Sequence, residues 1–148
     1  MFISPKKITL KTYQAGLLQA KAYRSLHTQM SEALKPYGIT LPQWGLLGLL
    51  NDKKSMSPSE LSQELGVKPP VTTSMLHELE NKQLIKRLSN PKDNRASSIQ
   101  LSDEGKRIIP AVEKELRKDL VEFLKDIRPT ELLAYMKVLE KLSSKIAR

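Results

Sequence analysis

Apolar residues recur three or four apart along most of the chain, and the breaks in that period mark its elements. Leu10, Tyr13, Leu17, Ala20, Tyr23, Leu26, Met30, Ala33 and Tyr37 keep helical spacing, which predicts a long amphipathic helix from about Thr9 to Lys35. Pro36 and Gly38 end it, since proline cannot continue the ladder and biases its predecessor away from helix. Thr40-Leu-Pro-Gln43 reads as a capping box, the threonine oxygen accepting an orphan N–H while the glutamine reaches back. The helix after it, Trp44 to about Asn51, is apolar on most sides and is expected in the core. Ser57-Pro-Ser-Glu60 repeats the device with proline at the first helical position. It opens a short helix with Leu61 and Leu65 on one face, and Gly66 suits the left-handed residue that stops it.

From Val71 to about Lys82, Thr72, Met75, Leu76 and Leu79 share one helical face. The two short helices are therefore joined by a tight turn around Val67-Lys-Pro-Pro70. From Leu84 the character changes. Ile85–Leu88 and Ser97–Leu101 are short β-compatible runs around the turn-rich Ser89–Asn94, predicting a hairpin with a long exposed tip. Ser102 caps a further helix, with Asp103 and Glu104 at the positive end of its dipole. Ile109, Val112, Leu116, Leu120, Phe123 and Ile127 line one side of that helix, and Pro110 is expected to bend it. Arg128-Pro-Thr-Glu131 breaks it, and a final helix carries Leu132, Met136, Leu139, Leu142 and Ile146.

The predicted fold is mainly α with a small β-hairpin wing, in a single domain. Residues 1–38 form an N-terminal helix, 40–101 a winged helix-turn-helix, and 102–148 the C-terminal helices. In that arrangement the second short helix lies in the major groove of DNA while its partner crosses the backbone. Its outward positions are Lys68, Pro69, Val71, Thr73, Ser74 and His77. Threonine, serine and histidine can hydrogen-bond base edges or phosphates, and valine methyls can meet a thymine methyl. The hairpin adds Lys92, Asp93, Asn94 and Arg95 at its tip, flanked by Lys86 and Arg87. An arginine so placed can enter a narrow minor groove, where the negative potential is strongest.

The formal charge of +9 fits a polyanionic partner, and its distribution sharpens the picture. Residues 41–81 carry three basic and five acidic side chains, whereas 82–112 carry seven and three. Attraction to phosphate must therefore come from the wing, the helix termini and the lysine-rich N-terminal segment. The chain has no cysteine, which excludes a thiolate zinc site, a thiol redox switch and a cysteine nucleophile. With only His27 and His77, expected far apart, no metal site is predicted. The sequence offers no phosphate-cradling glycine loop, H-E-x-x-H or Gly-x-Ser-x-Gly elbow, so neither an enzyme nor a cofactor is expected. No apolar run is long enough for a membrane span. The opening segment lacks the apolar core of a signal peptide, so a cytoplasmic location is expected.

Ser57 to Arg87, through Leu-Ser-Gln-Glu-Leu-Gly-Val and Leu-Glu-Asn-Lys-Gln-Leu-Ile-Lys-Arg, resembles the helix-turn-helix of the MarR family of transcriptional regulators. The wing is similar to that family's Asp-x-x-Asp-x-Arg followed by Leu-Thr: Asn90 stands for the first aspartate, Asp93 and Arg95 match, and Leu101-Ser102 stands for Leu-Thr. Ser102-Asp-Glu-Gly105-Lys is similar to the start of the family's next helix. The resemblance implies a homodimer with intertwined terminal helices and double-stranded DNA as partner. It also implies repression relieved by a small amphipathic or aromatic ligand. It makes Arg95 the minor-groove contact and Asp93 the residue that fixes the loop. Ser74 and Glu78 depart from the pattern, standing where basic residues are frequent, so the base sequence read does not carry over.

Three long amphipathic segments have more apolar face than one small winged domain covers. A second copy is the simplest cover; an intramolecular bundle is the alternative. For an effector, Tyr23, His27, Met30, Tyr37 and Trp44 are the candidate lining, each also readable as a core residue of the first two helices. The competing function is a winged-helix module that engages another protein without reading DNA.

Overall fold

The computed structural model describes residues 11–90 and 93–146, without the side chains of 90 and 93–96. Helix α1 (Thr12–Leu34) runs into a 3-10 turn at Lys35–Tyr37, where Pro36 sits at the start and Gly38 closes the turn at φ 64°. Helix α2 (Leu41–Lys53) starts on the capping box: the Gln43 N–H donates to Thr40 Oγ1 at 3.3 Å, and the Thr40 N–H donates to Gln43 Oε1 at 3.1 Å. Helix α3 (Pro58–Leu65) is capped the same way by Ser57 and Glu60, at 3.1 and 3.2 Å. It ends at Gly66, φ 67°. Helix α4 (Pro69–Asn81) opens with two prolines in the first turn, where no intrahelical N–H partner is lost.

Strands β1 (Ile85–Asn90) and β2 (Asp93–Leu101) pair antiparallel from Ile85 opposite Leu101 to Ser89 opposite Ser97, with a register irregularity at Ser89/Asn90. The pairing extends further outward than the short runs and long tip expected from sequence. The ladder is made by backbone groups, so polar side chains do not end it. A single bridge between Met56 and Ile99, with N–H···O distances of 3.1 and 2.8 Å, adds a third short edge to the hairpin. No periodicity in the sequence marked it.

Helix α5 (Asp103–Phe123) continues through Pro110, and α6 (Pro129–Ser143) follows a break over residues 124–128. The core gathers Leu34, Leu46, Leu47, Leu50, Leu61, Leu76, Leu79, Ile99, Val112 and Leu116, all at most 2 % exposed. It thus sits under the helix-turn-helix and the first half of α5. Beyond that the stripe leaves cover: Phe123 at the end of α5 is exposed, Ile127 falls in the break and not on the helix expected to carry it, and α6 buries no residue. None of the described helices is long and apolar enough to cross a membrane.

Candidate nucleic-acid interface

Helix α4 has two unlike faces. Thr72, Met75, Leu76 and Leu79 are buried, while Lys68, Pro69, Val71, Thr73, Ser74 and His77 are all exposed. The outward set therefore forms one continuous polar strip at the start of the helix, with Val71 as an apolar point within it. Thr73 Oγ1 donates to the Pro69 carbonyl at 3.0 Å, which leaves its lone pairs to accept from a ligand.

Two polar contacts fix where that strip points. Ser62 Oγ donates to Thr72 Oγ1 at 2.7 Å in the buried seam between α3 and α4. Gln43, 1 % exposed, donates from Nε2 to Glu78 Oε2 at 2.5 Å and so ties α2 to α4. The capping half of the Gln43 role is legible in the sequence spacing, and this half is not. Its signal was present, because a buried amide whose oxygen serves a cap still needs an acceptor for its nitrogen. The contact also accounts for Glu78, whose carboxylate has a partner within the protein.

On the wing, Ile85, Arg87 and Ile99 share one side of the ladder, and Lys86 alternates to the other. Arg87 and Ile99 are opposite one another in the ladder. Arg87 Nε and Nη2 donate to Glu80 Oε1 at 3.2 and 3.0 Å, and Nη1 lies 3.4 Å from Ser97 Oγ. Both cations flanking the tip are exposed, but Arg87 is held by protein partners on α4 and β2. The backbone of Asp93, Asn94 and Arg95 belongs to β2; their side chains, and Lys92 altogether, lie outside the described residues.

The five residues expected to line an effector site have different surroundings. Tyr23 and His27, a helical turn apart on α1, have ring centroids 5.5 Å apart, and Tyr23 is 66 % exposed. Met30 and Trp44 are half-buried against the core. Tyr37 borders a hollow of about 490 Å³, with Lys82, Leu84, Glu104, Arg107 and Ile108 among its walls. Glu104 and Arg107 are paired there at 2.5 and 2.9 Å. That hydrogen bond holds the Glu104 carboxyl below, and the Arg107 guanidinium above, its ordinary range. Among the described residues no group of three or more His, Asp or Glu side chains is placed to hold a metal ion.

Similarities to known proteins follow the same geometry. The family described as MarR matches residues 39–97, from the α2 cap through most of the hairpin. The HTH-type transcriptional repressor MdtR of Bacillus subtilis is 29 % identical over 82 % of this chain and 78 % of its own. The uncharacterized HTH-type transcriptional regulator YsmB of the same organism is 30 % identical, over 79 % of this chain and 80 % of its own. A mutant MarR of E. coli, solved in complex with operator DNA, superposes with a TM-score of 0.78 at 26 % identity, over 86 % of this chain and 91 % of that one. The chain belongs to the MarR family of winged helix-turn-helix proteins, and it is a transcriptional regulator rather than an enzyme.

Proposed function

We propose that the protein binds double-stranded DNA sequence-specifically as a homodimer and represses transcription from the sites it occupies. The observation that carries this reading is the exposed strip Lys68, Pro69, Val71, Thr73, Ser74 and His77 on a helix whose other face is locked in the core, with a basic hairpin beside it. Such a helix enters the major groove by its N-terminal residues, where the free N–H groups of its first turn also favour a phosphate. The wing, through Arg95, reaches the neighbouring minor groove. The repressor MdtR and the MarR–operator complex among its relatives support the same assignment.

Release by a small amphipathic or aromatic molecule is part of the proposal. The hollow beside Tyr37 lies between the end of α4 and the start of α5, so an occupant there would press on both the reading helix and the dimer helix. Glu104 already neutralises Arg107 at this rim, which favours a ligand with a large apolar part.

The test is binding of the purified protein to duplex fragments recovered from its own genome. Affinity should fall with salt, log K dropping by about 0.9 per decade of salt for each phosphate neutralised. Arg95→Ala should weaken specific binding by roughly 1–3 kcal/mol per half-site. A protein that ignores duplex DNA at low ionic strength would instead support a winged-helix module directed at another protein.

A further inference from the structure

We propose that Arg87 is a positioning residue: paired with Glu80, it sets the angle between the reading helix and the wing, and does not itself bind phosphate. Helix α4 passes into β1 through a joint of three residues, Lys82 to Leu84, with Gln83 at φ 61°. The inner end of the joint is held by α5, since Ser102 Oγ donates to the Gln83 carbonyl at 2.6 Å and the Ser102 N–H to the Leu84 carbonyl at 3.0 Å. Further out, Arg87 with Glu80 is the one side-chain hydrogen-bonded link between α4 and the hairpin among the described residues. The guanidinium spans three elements: it stands on β1, grips Glu80 on α4, and reaches Ser97 on β2. Arginine suits this task because its planar fork offers several donors in fixed directions.

Both side chains are about a third exposed, 34 % and 35 %, and pairs so placed add little to stability. What the pair does fix is geometry. Two contact elements that must reach adjoining grooves together lose affinity if the angle between them becomes free, because ordering it is then a cost of binding. Glu80 sharpens the distinction from a phosphate contact. A carboxylate near DNA repels the backbone, so if Arg87 bound phosphate, removing Glu80 would free it and tighten the complex.

The inference rests on the DNA-binding reading, and one experiment separates the two. Fluorescence anisotropy is measured on a duplex recovered from the genome by the wild-type protein and on a scrambled duplex, with thermal unfolding recorded in parallel. Glu80→Gln should weaken binding to the recovered duplex by roughly fivefold. Its salt slope and unfolding midpoint should stay near wild type. The charge-swapped double variant, Glu80→Arg with Arg87→Glu, should recover most of the lost affinity. Unchanged or tighter binding by Glu80→Gln, or a swap no better than the single variant, would overturn the positioning role while leaving DNA binding intact. A wild-type protein that fails to bind any duplex would overturn both.

Discussion

Gln83 stands at φ 61°, a left-handed conformation that costs a residue bearing a Cβ about 1–2 kcal/mol. The reason lies in the chain around it. The Gln83 N–H donates to the Glu80 carbonyl at 2.9 Å and the Leu84 N–H to the Leu79 carbonyl at 3.0 Å, which is the Schellman closure of a helix. Helix α3 ends in the same way, with the Gly66 and Val67 N–H groups donating to the Gln63 and Ser62 carbonyls, but there a glycine occupies the left-handed position. Glycine also has more freedom to lose on folding, which offsets roughly 0.5–1 kcal/mol of the gain. Gln83→Gly should therefore stabilise the fold by about 0.5–1 kcal/mol, read as a higher urea midpoint with unchanged m. Gln83→Ala should give no such gain. Equal midpoints for the two variants would show that the backbone strain is already relieved.

At the scale of elements, the helix-turn-helix angle depends on one buried pair of hydroxyls. Ser62 is 7 % exposed and Thr72 1 %, and the Ser62 hydroxyl has Thr72 Oγ1 as its acceptor. Thr72→Val keeps the shape and strands the Ser62 hydroxyl, so it should cost about 1–3 kcal/mol in urea unfolding. The double variant Ser62→Ala with Thr72→Val removes both polar groups and should be less destabilised than Thr72→Val alone. Strictly additive losses would mean the pair is not coupled.

Elements of this kind were legible where local chemistry decides them. Thr40 with Gln43, Ser57 with Glu60, Gly66 and Ser102 each satisfy or relieve a helix end within four residues, so spacing alone revealed them. The outward face of α4 was legible too, because Thr72, Met75, Leu76 and Leu79 leave only one side free. What escaped depends on partners far along the chain. Gln43 meets Glu78 thirty-five residues away, and Met56 bridges to Ile99 across the domain. Arg87, grouped by its charge with the wing cations, is held by protein partners because β1 alternation places it beside Ile99 and over Glu80. Tyr37 borders a hollow while Met30 and Trp44 pack against the core, because composition names such residues but not the side of the core on which each falls.

For the whole molecule, the apolar surface left open is concentrated on the terminal helices. On α6, Leu133 is 62 % exposed, Met136 53 % and Val138 50 %, and on α1 Tyr13 is 62 % and Leu17 59 %. Between these helices lies a hollow of about 330 Å³ bordered by Leu18 and Ala22 on one side and Val138 and Leu142 on the other. A helix of 15 residues that buries none of its side chains is marginal on its own in water, and contiguous apolar patches of this kind mark contact sites. In the proposed homodimer the same patch on a second copy would cover it, the self-complementary solution of two-fold symmetry. It would also set the separation of the two reading helices, about 34 Å for half-sites one DNA turn apart. Removing residues 129–148 should therefore leave the winged core folded, since none of its buried residues comes from α6, yet yield monomers or aggregates in sedimentation velocity. The operator affinity of any soluble monomer should drop toward that of a single half-site. A truncated protein that sediments as a uniform dimer would place the interface elsewhere, on α1 or the second half of α5, and the spacing between reading helices would then have to be set without α6.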